Sequence, residues 1–328
     1  MKKMLLAVLI IGSIFSSCVH TKKEVLTLRI SSYVDSNDVL TDGLKVPTHI
    51  GFFGGLEIIS DLQHNRFVYR EEGSTDDFIK AQVKVVGHHS LTWVDGKYYA
   101  VNTDEHKVIE FSDLTETGNN SPNYKAIELS RPHDIVYNQT DGYIYMIDDK
   151  EGLTRFKPNT NDIAEKSEIN KSKTLGYARS LSVVNGKVYI INSSRGEVIL
   201  MDDFDNWTIY ESPGKEKNEK GEKMNSPAGA WNKTGLVLND VERFGEYWYG
   251  SNFFTQSYAG EHDANKYRLI RWRTWEDFQN GNWEELSHLL PSGVVPYYFS
   301  IHNDALYLAT FHHEQPGTND IIYKLYLQ

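Results

Sequence analysis

A single cysteine, Cys18, stands among 328 residues, so no disulfide can form within the chain and a large packed core must hold the fold. Cations are scarce too. The 34 Lys and Arg against 45 Asp and Glu leave a net charge of −11, which excludes the broad basic face that nucleic acid binding needs. That acidity also repels an anionic polysaccharide at long range, so such a substrate would require cations concentrated in a cleft. Surface charge that only keeps the chain soluble is the competing reading. No Ser-centred elbow, phosphate loop or spaced cysteine cluster is present. No helix of useful length is evident either. The best candidate, Trp275 to Leu290, contains Asn280-Gly281-Asn282 and reads as an irregular connection and a strand.

What is there begins with Met1-Lys2-Lys3, an apolar run from Met4 to Ile14, and Phe15-Ser16-Ser17-Cys18. The run is too short to span a bilayer, and the pattern resembles a bacterial lipoprotein signal. Residues 1–17 are expected to be removed and Cys18 to carry lipid, with residues 18–24 as a tether and 25–328 as one domain. Loss of Lys2 and Lys3 would shift the net charge from −11 to −13. The chain is expected on the outer membrane, held through its lipid alone and facing the periplasm or the cell surface, as a monomer.

The remaining chain repeats itself. His88-His89-Ser90 precedes an Asp95-Gly96 hairpin, Arg131-Pro132-His133-Asp134 a turn at Asp141-Gly142, and Ala178-Arg179-Ser180 an Asn185-Gly186 hairpin. Each unit runs from an ionisable residue and a small polar one into a strand, a Gly turn, an aromatic strand ending in Asn or Asp, and a third strand. Degenerate copies start at Asn239-Asp240 and Tyr297-Tyr298. Taking His89, His133, Arg179, Asn239 and Tyr298 as equivalent gives spacings of 44, 46, 60 and 59 residues, the period of β-propeller blades with insertions. One insertion is the charged run Lys215 to Lys223; another is Thr255 to Asn265. A first unit, Thr48 to Val86, supplies strands at 56–59, 66–69 and 81–86, which makes the fold all-β and six-bladed, with five or seven blades left open. The strand Val25 to Ile30 is expected to complete the last blade beside Asp320 to Leu327, closing the ring.

Innermost strands line a propeller's channel, so their starts should converge on one mouth. There His89, His133, Arg179 and Tyr298 are the candidate catalytic set, with His88, Asn239 and Tyr297 around them and His49, 40 residues before His89, a further candidate. Asp134 aligns with Ser90 and Ser180 and reads as a structural cap. Trp231 and Trp248 are candidate sugar-stacking surfaces near the insertions, with Tyr258, Phe253 and Phe254; interblade packing is the alternative for each. Paired hydrolytic carboxylates are not prominent. A set of His, Tyr and Arg suits proton abstraction next to a carboxylate: Arg neutralises the acid, His or Tyr takes the proton, and a second group protonates the leaving oxygen. In a uronic acid this is β-elimination. The chemistry needs no cofactor, and the adjacent His312-His313 would point to opposite faces of a strand, so no metal site is assigned.

The lipoprotein-like start, the three blade openings, and the connections Asp202–Trp207 and Trp275–Asn280 together resemble propeller-fold saccharide lyases of Bacteroidetes polysaccharide-utilisation systems. Within that group the chain is similar to dehydratases of ulvan oligosaccharides. The resemblance implies an anionic oligosaccharide substrate and loss of water from a non-reducing-end uronic acid. A non-catalytic glycan-binding or interaction propeller and a propeller glycoside hydrolase remain the alternatives.

Overall fold

The computed structural model describes residues 28–327 apart from 36–38, 40–41, 118–124, 129–130, 149–151, 161–167, 171–174, 214–235, 254–265, 313–316 and 318–319. Cys18 and the rest of the expected signal and tether, Trp231, Tyr258, Phe254, the run 215–223 and His313 lie outside the described residues.

Six four-stranded antiparallel sheets follow one another. After β1 (Leu28–Val34), blade 1 holds β2 (Pro47–Phe53), β3 (Leu56–Asp61), β4 (Arg66–Glu71) and β5 (Ile79–Lys80). Blade 2 holds β6 (Leu91–Val94), β7 (Lys97–Asn102), β8 (Lys107–Phe111) and β9 (Lys125–Glu128). In blade 3 are β10 (Pro132–Asn138), β11 (Tyr143–Asp148), β12 (Gly152–Phe156) and β13 (Glu168–Asn170). Blade 4 comprises β14 (Ser180–Val184), β15 (Lys187–Asn192), β16 (Glu197–Met201) and β17 (Trp207–Glu211). Blade 5 comprises β18 (Leu238–Phe244), β19 (Tyr247–Asn252), β20 (Leu269–Trp272) and β21 (Glu284–Glu285). Blade 6 is β22 (Val294–His302), β23 (Ala305–His312), β24 (Ile322–Leu327) and, from the other end of the chain, β1. The innermost strands β2, β6, β10, β14, β18 and β22 touch in sequence around the ring and back to β2. This is a six-bladed β-propeller closed by pairing of β1 with β24, Leu28 opposite Leu327 and Val34 opposite Ile322.

Turn chemistry sets the hairpins. Asp95-Gly96 and Asn185-Gly186 both carry two positive φ values, 52° and 80°, 52° and 74°, the conformation a two-residue hairpin demands. The apolar core lies between blades, where facing strands bury their side chains. Ile58 and Phe67 of blade 1, for instance, pack with Leu91, Tyr98 and Phe111 of blade 2.

Two local expectations change. Residues 81–86 are not a strand: the ladder with β4 ends at Lys80 with one further bond from Ala81 N to the Phe67 carbonyl at 2.9 Å, and Ala81, Val83 and Val85 plug the core between blades 1 and 2. Their alternation reports burial without a ladder. Within Trp275–Leu290, a six-residue helix, α1 (Trp275–Asn280), is present. Thr274 and Asp277 form a capping box at its start and Gly281, at φ 74°, ends it.

Candidate functional site

The strand starts are where the ladders break. Register shifts fall between Pro47 and His49, Pro132 and Asp134, Leu238 and Asp240, and Pro296 and Phe299. Each leaves extra residues unpaired, namely Thr48, His133, Asn239 and the pair Tyr297-Tyr298. A β-bulge re-aims the side chain it frees. In blades 2 and 4, His89 and Arg179 sit just ahead of the paired strands β6 and β14.

Buried carboxylates fix these starts to their neighbours. Asp134 accepts hydrogen bonds from Ser90 Oγ, Ile135 N at 2.8 Å and Leu181 N at 2.7 Å, so blade 3 holds blades 2 and 4. Asp240 repeats the device, accepting from Ser180 Oγ at 2.8 Å, Val241 N at 2.9 Å and Phe299 N at 2.8 Å. Both are structural bridges, as expected for Asp134.

His133 lies 3 % exposed at the centre of the mouth. Its Nδ1 is 3.0 Å from the Arg179 carbonyl, which can only accept, so Nδ1 carries the proton and Nε2 is the acceptor. Tyr177 then donates its hydroxyl to Nε2 at 2.7 Å. The Tyr298 hydroxyl donates to the same Arg179 carbonyl at 2.7 Å and lies 3.1 Å from Nδ1. His89 stacks on His133, ring centres 4.1 Å apart, and its Nδ1 is 3.4 Å from the Tyr297 hydroxyl. The Arg179 guanidinium donates to Asn239 Oδ1 at 2.6 Å and lies over the rings of Phe253 and Tyr177. Asn239 in turn donates to the Pro296 carbonyl at 2.7 Å.

Burial, reinforced by the charges of Arg179 and Arg131, pushes His133 down to about 3. The same influences, with His133 itself contributing, hold His89 well below the usual imidazole range. Burial raises Tyr297 and Tyr298 well above the ordinary phenol value. At neutral pH the mouth therefore presents two neutral imidazoles and protonated phenols within the field of two guanidiniums.

His89, His133, Arg179, Asn239, Tyr297 and Tyr298 are thus brought together. Tyr298, 2 % exposed and committed to the Arg179 carbonyl, orients His133 from beneath instead of facing the mouth. Asn239, fully buried, braces Arg179. His88 does not belong: its ring is fully buried edge-on against Phe67, 4.5 Å away, because adjacent residues point to opposite sides. His49 faces the central channel, and Thr48 takes its place at the mouth, donating to the His89 carbonyl at 2.6 Å. Trp248 is 4 % exposed and packs with Tyr189 and Trp275 between blades 4 and 5, so it offers no face to a sugar. Tyr177 was missed by repeat reading. It falls in the segment leading to blade 4, where only its position two residues before Arg179 pointed to it.

Two cavities flank the cluster. One, about 280 Å³, opens beside His89 and Arg131 between the tops of blades 1, 2 and 3. The other, about 250 Å³, is the central channel, lined by Asp134, Asp240, Glu242, His49 and Tyr298. Among the described residues no group of three or more His, Cys, Asp or Glu is placed to hold a metal ion.

No protein-family model and no curated protein sequence matches the chain. Solved structures are similar in fold. A catalytically inactive virginiamycin B lyase from Staphylococcus aureus, with quinupristin, is 12% identical over 92% of this chain and 100% of that one, with a TM-score of 0.57. The pyrroloquinoline-quinone-bound aldose sugar dehydrogenase of Streptomyces coelicolor is 12% identical over 92% and 99%, TM-score 0.60. A structural-genomics protein of unknown function from Bacteroides thetaiotaomicron is 11% identical over 92% and 76%, TM-score 0.56. At these identities the likeness is one of fold, and it agrees with a β-propeller.

Proposed function

We propose that the protein is a carbon–oxygen lyase that acts by β-elimination on uronic-acid-containing oligosaccharides. The observation that carries this reading is the hydrogen bond from Tyr177 to His133 Nε2, beside the Arg179 guanidinium that lies over the Tyr177 ring. A proton next to a carboxylate is weakly acidic, so neutralising that carboxylate comes first. Arg179, permanently charged and able to bind a carboxylate through two N–H groups, is assigned this role.

Once the substrate carboxylate on Arg179 offsets the cationic field that keeps His133 a weak base, His133 Nε2 takes the Tyr177 hydroxyl proton, and the Tyr177 oxygen removes the proton beside that carboxylate. The electron pair of that C–H bond becomes the double bond between carbons 4 and 5 as the bond to the oxygen at carbon 4 breaks. Tyr177 passes the proton it has gained to this oxygen and recovers its own from His133. His89 contacts the leaving oxygen. Tyr298 and the Arg179 carbonyl hold the Nδ1–H end of His133, fixing the tautomer that leaves Nε2 free to accept.

The narrower form of the proposal is a dehydratase of ulvan-type fragments, lipid-anchored through Cys18 at the outer membrane. Fold neighbours that include a lyase and a sugar dehydrogenase are compatible with propeller chemistry of this class. Asp134 and Asp240 hold backbone N–H groups, which counts against a pair of hydrolytic carboxylates. Mass spectrometry of uronate oligosaccharides after incubation tests the proposal. A product lighter by one water, or a cut chain with no water added, supports elimination; a cut with water added would make the protein a hydrolase, and bound but unaltered sugar a binding module.

A further inference from the structure

The cavity beside His89 is built from strand lead-ins and turns of three blades. Blade 1 contributes the turn Leu62–His64 and Asn65, blade 2 contributes Gly87, His89 and Asp104, and blade 3 contributes Arg131. Its walls are pinned: Asn65 Oδ1 accepts from Gly87 N at 2.9 Å, and Thr103 Oγ1 donates to the Pro132 carbonyl at 2.6 Å. Gly87 has φ +61°, where L side chains are strained, and a Cβ there would lie 2.3 Å from the Asp104 carboxyl, so a larger residue would displace that side chain from the wall. At about 280 Å³ the space is near the lower end of small-molecule sites. The lining pairs one fixed cation, Arg131, with amide and carboxylate groups of Gln63, Asn65 and Asp104, a mixture suited to a hydroxylated ring bearing a negative substituent.

We infer that this pocket is a second sugar subsite, which holds the unit bonded to the reacting uronate and reads an oxyanion on it, a sulfate ester or a carboxylate, through Arg131. The inference rests on the lyase reading for its orientation. His89 is stacked on His133 and also forms a wall of the pocket, so a sugar here adjoins the bond being broken. The substrate is then an oligosaccharide of at least two units, with a charged neighbour preferred over a neutral one.

The test compares uronate disaccharides whose second unit is sulfated, carboxylated or neutral, measuring both KM and equilibrium binding by calorimetry. Arg131→Ala is expected to weaken the charged ligands about tenfold, the loss of one charge-assisted contact, and the neutral one less than about twofold. Arg131→Lys should recover part of the loss, and serves if the alanine variant folds poorly. The arm that is weakened identifies sulfate or carboxylate. Equal weakening of all three ligands, or none, overturns the subsite. Charge-selective binding without any unsaturated product would keep the subsite and overturn the lyase reading, while product formation with unselective Arg131→Ala would do the reverse.

Discussion

Tyr177 reaches His133 because the Arg179 carbonyl anchors the far side of the imidazole, so two residues from one short segment grip both ends of the ring. Removing only the Tyr177 hydroxyl separates chemistry from packing. Tyr177→Phe is predicted to lower kcat about 100-fold or more, with little change in the thermal midpoint; a rate within twofold would remove Tyr177 from the mechanism. Glu242 allows a second residue-scale prediction. It lines the channel beside Asp240, and burial, with that neighbouring charge, raises it from 4.5 to about 8. The folded protein thus holds a proton that the unfolded chain releases, and this contribution to stability is present below about pH 4.5 and lost as pH rises to about 8. Glu242→Gln, which stays neutral, should gain stability relative to wild type between pH 5 and 8 in denaturant titrations; a constant difference would refute it. Residue identity at the mouth was legible for His89, His133 and Arg179, since repeat superposition aligns them. Orientation was not. Which of His88 and His89 faces the mouth depends on how the backbone leads into β6, and no local pattern marks that.

The inner strands hold one another through carboxylates, of which the sequence marks Asp134 alone as a structural cap. Asp134 and Asp240 occupy equivalent positions, with Ser90 and Ser180 opposite them in the preceding blades. A short anionic side chain after a bulge can accept from two backbone N–H groups and a neighbouring hydroxyl at once, which serines cannot do. Asp134→Ala would take the carboxylate partner from Leu181 N–H and leave Ile135 N–H with only its longer bond to Ser90 Oγ at 3.2 Å, and is predicted to cost about 2 kcal/mol in urea denaturation. A cost below about 1 kcal/mol would mean that water replaces the carboxylate. Elements without a repeat were harder to read. The helix Trp275–Asn280 is too short to show a helical period, and its local signatures are the capping box, Thr274 to Asp277, and the terminating Gly281. Trp248 sits near an insertion in sequence but points into the interblade core, a placement decided by strand alternation in β19.

The whole ring is closed by its chain ends, and this was legible because Leu28 and Ile30 alternate with polar residues in an otherwise unpartnered strand. β1 covers the edge of β24, and Leu28 joins the core shared by blades 5 and 6. Truncation through Val34 is predicted to lower the thermal midpoint and to cause self-association detectable by light scattering, since it exposes a paired edge; a monomer of unchanged stability would show that the velcro is dispensable. Closure also brings the six lead-in segments to one mouth, where a chain of net charge −11 places two guanidiniums beside two neutral histidines. That concentration of positive charge in an acidic molecule is the feature the functional proposal depends on. The most direct test follows ultraviolet absorbance while the wild-type protein and its His133→Ala variant are mixed with a uronate-terminated oligosaccharide. The account predicts a rise from the new carbon–carbon double bond with wild type and its loss in a folded variant. No rise with any uronate substrate, or an equal rise in both proteins, would contradict it.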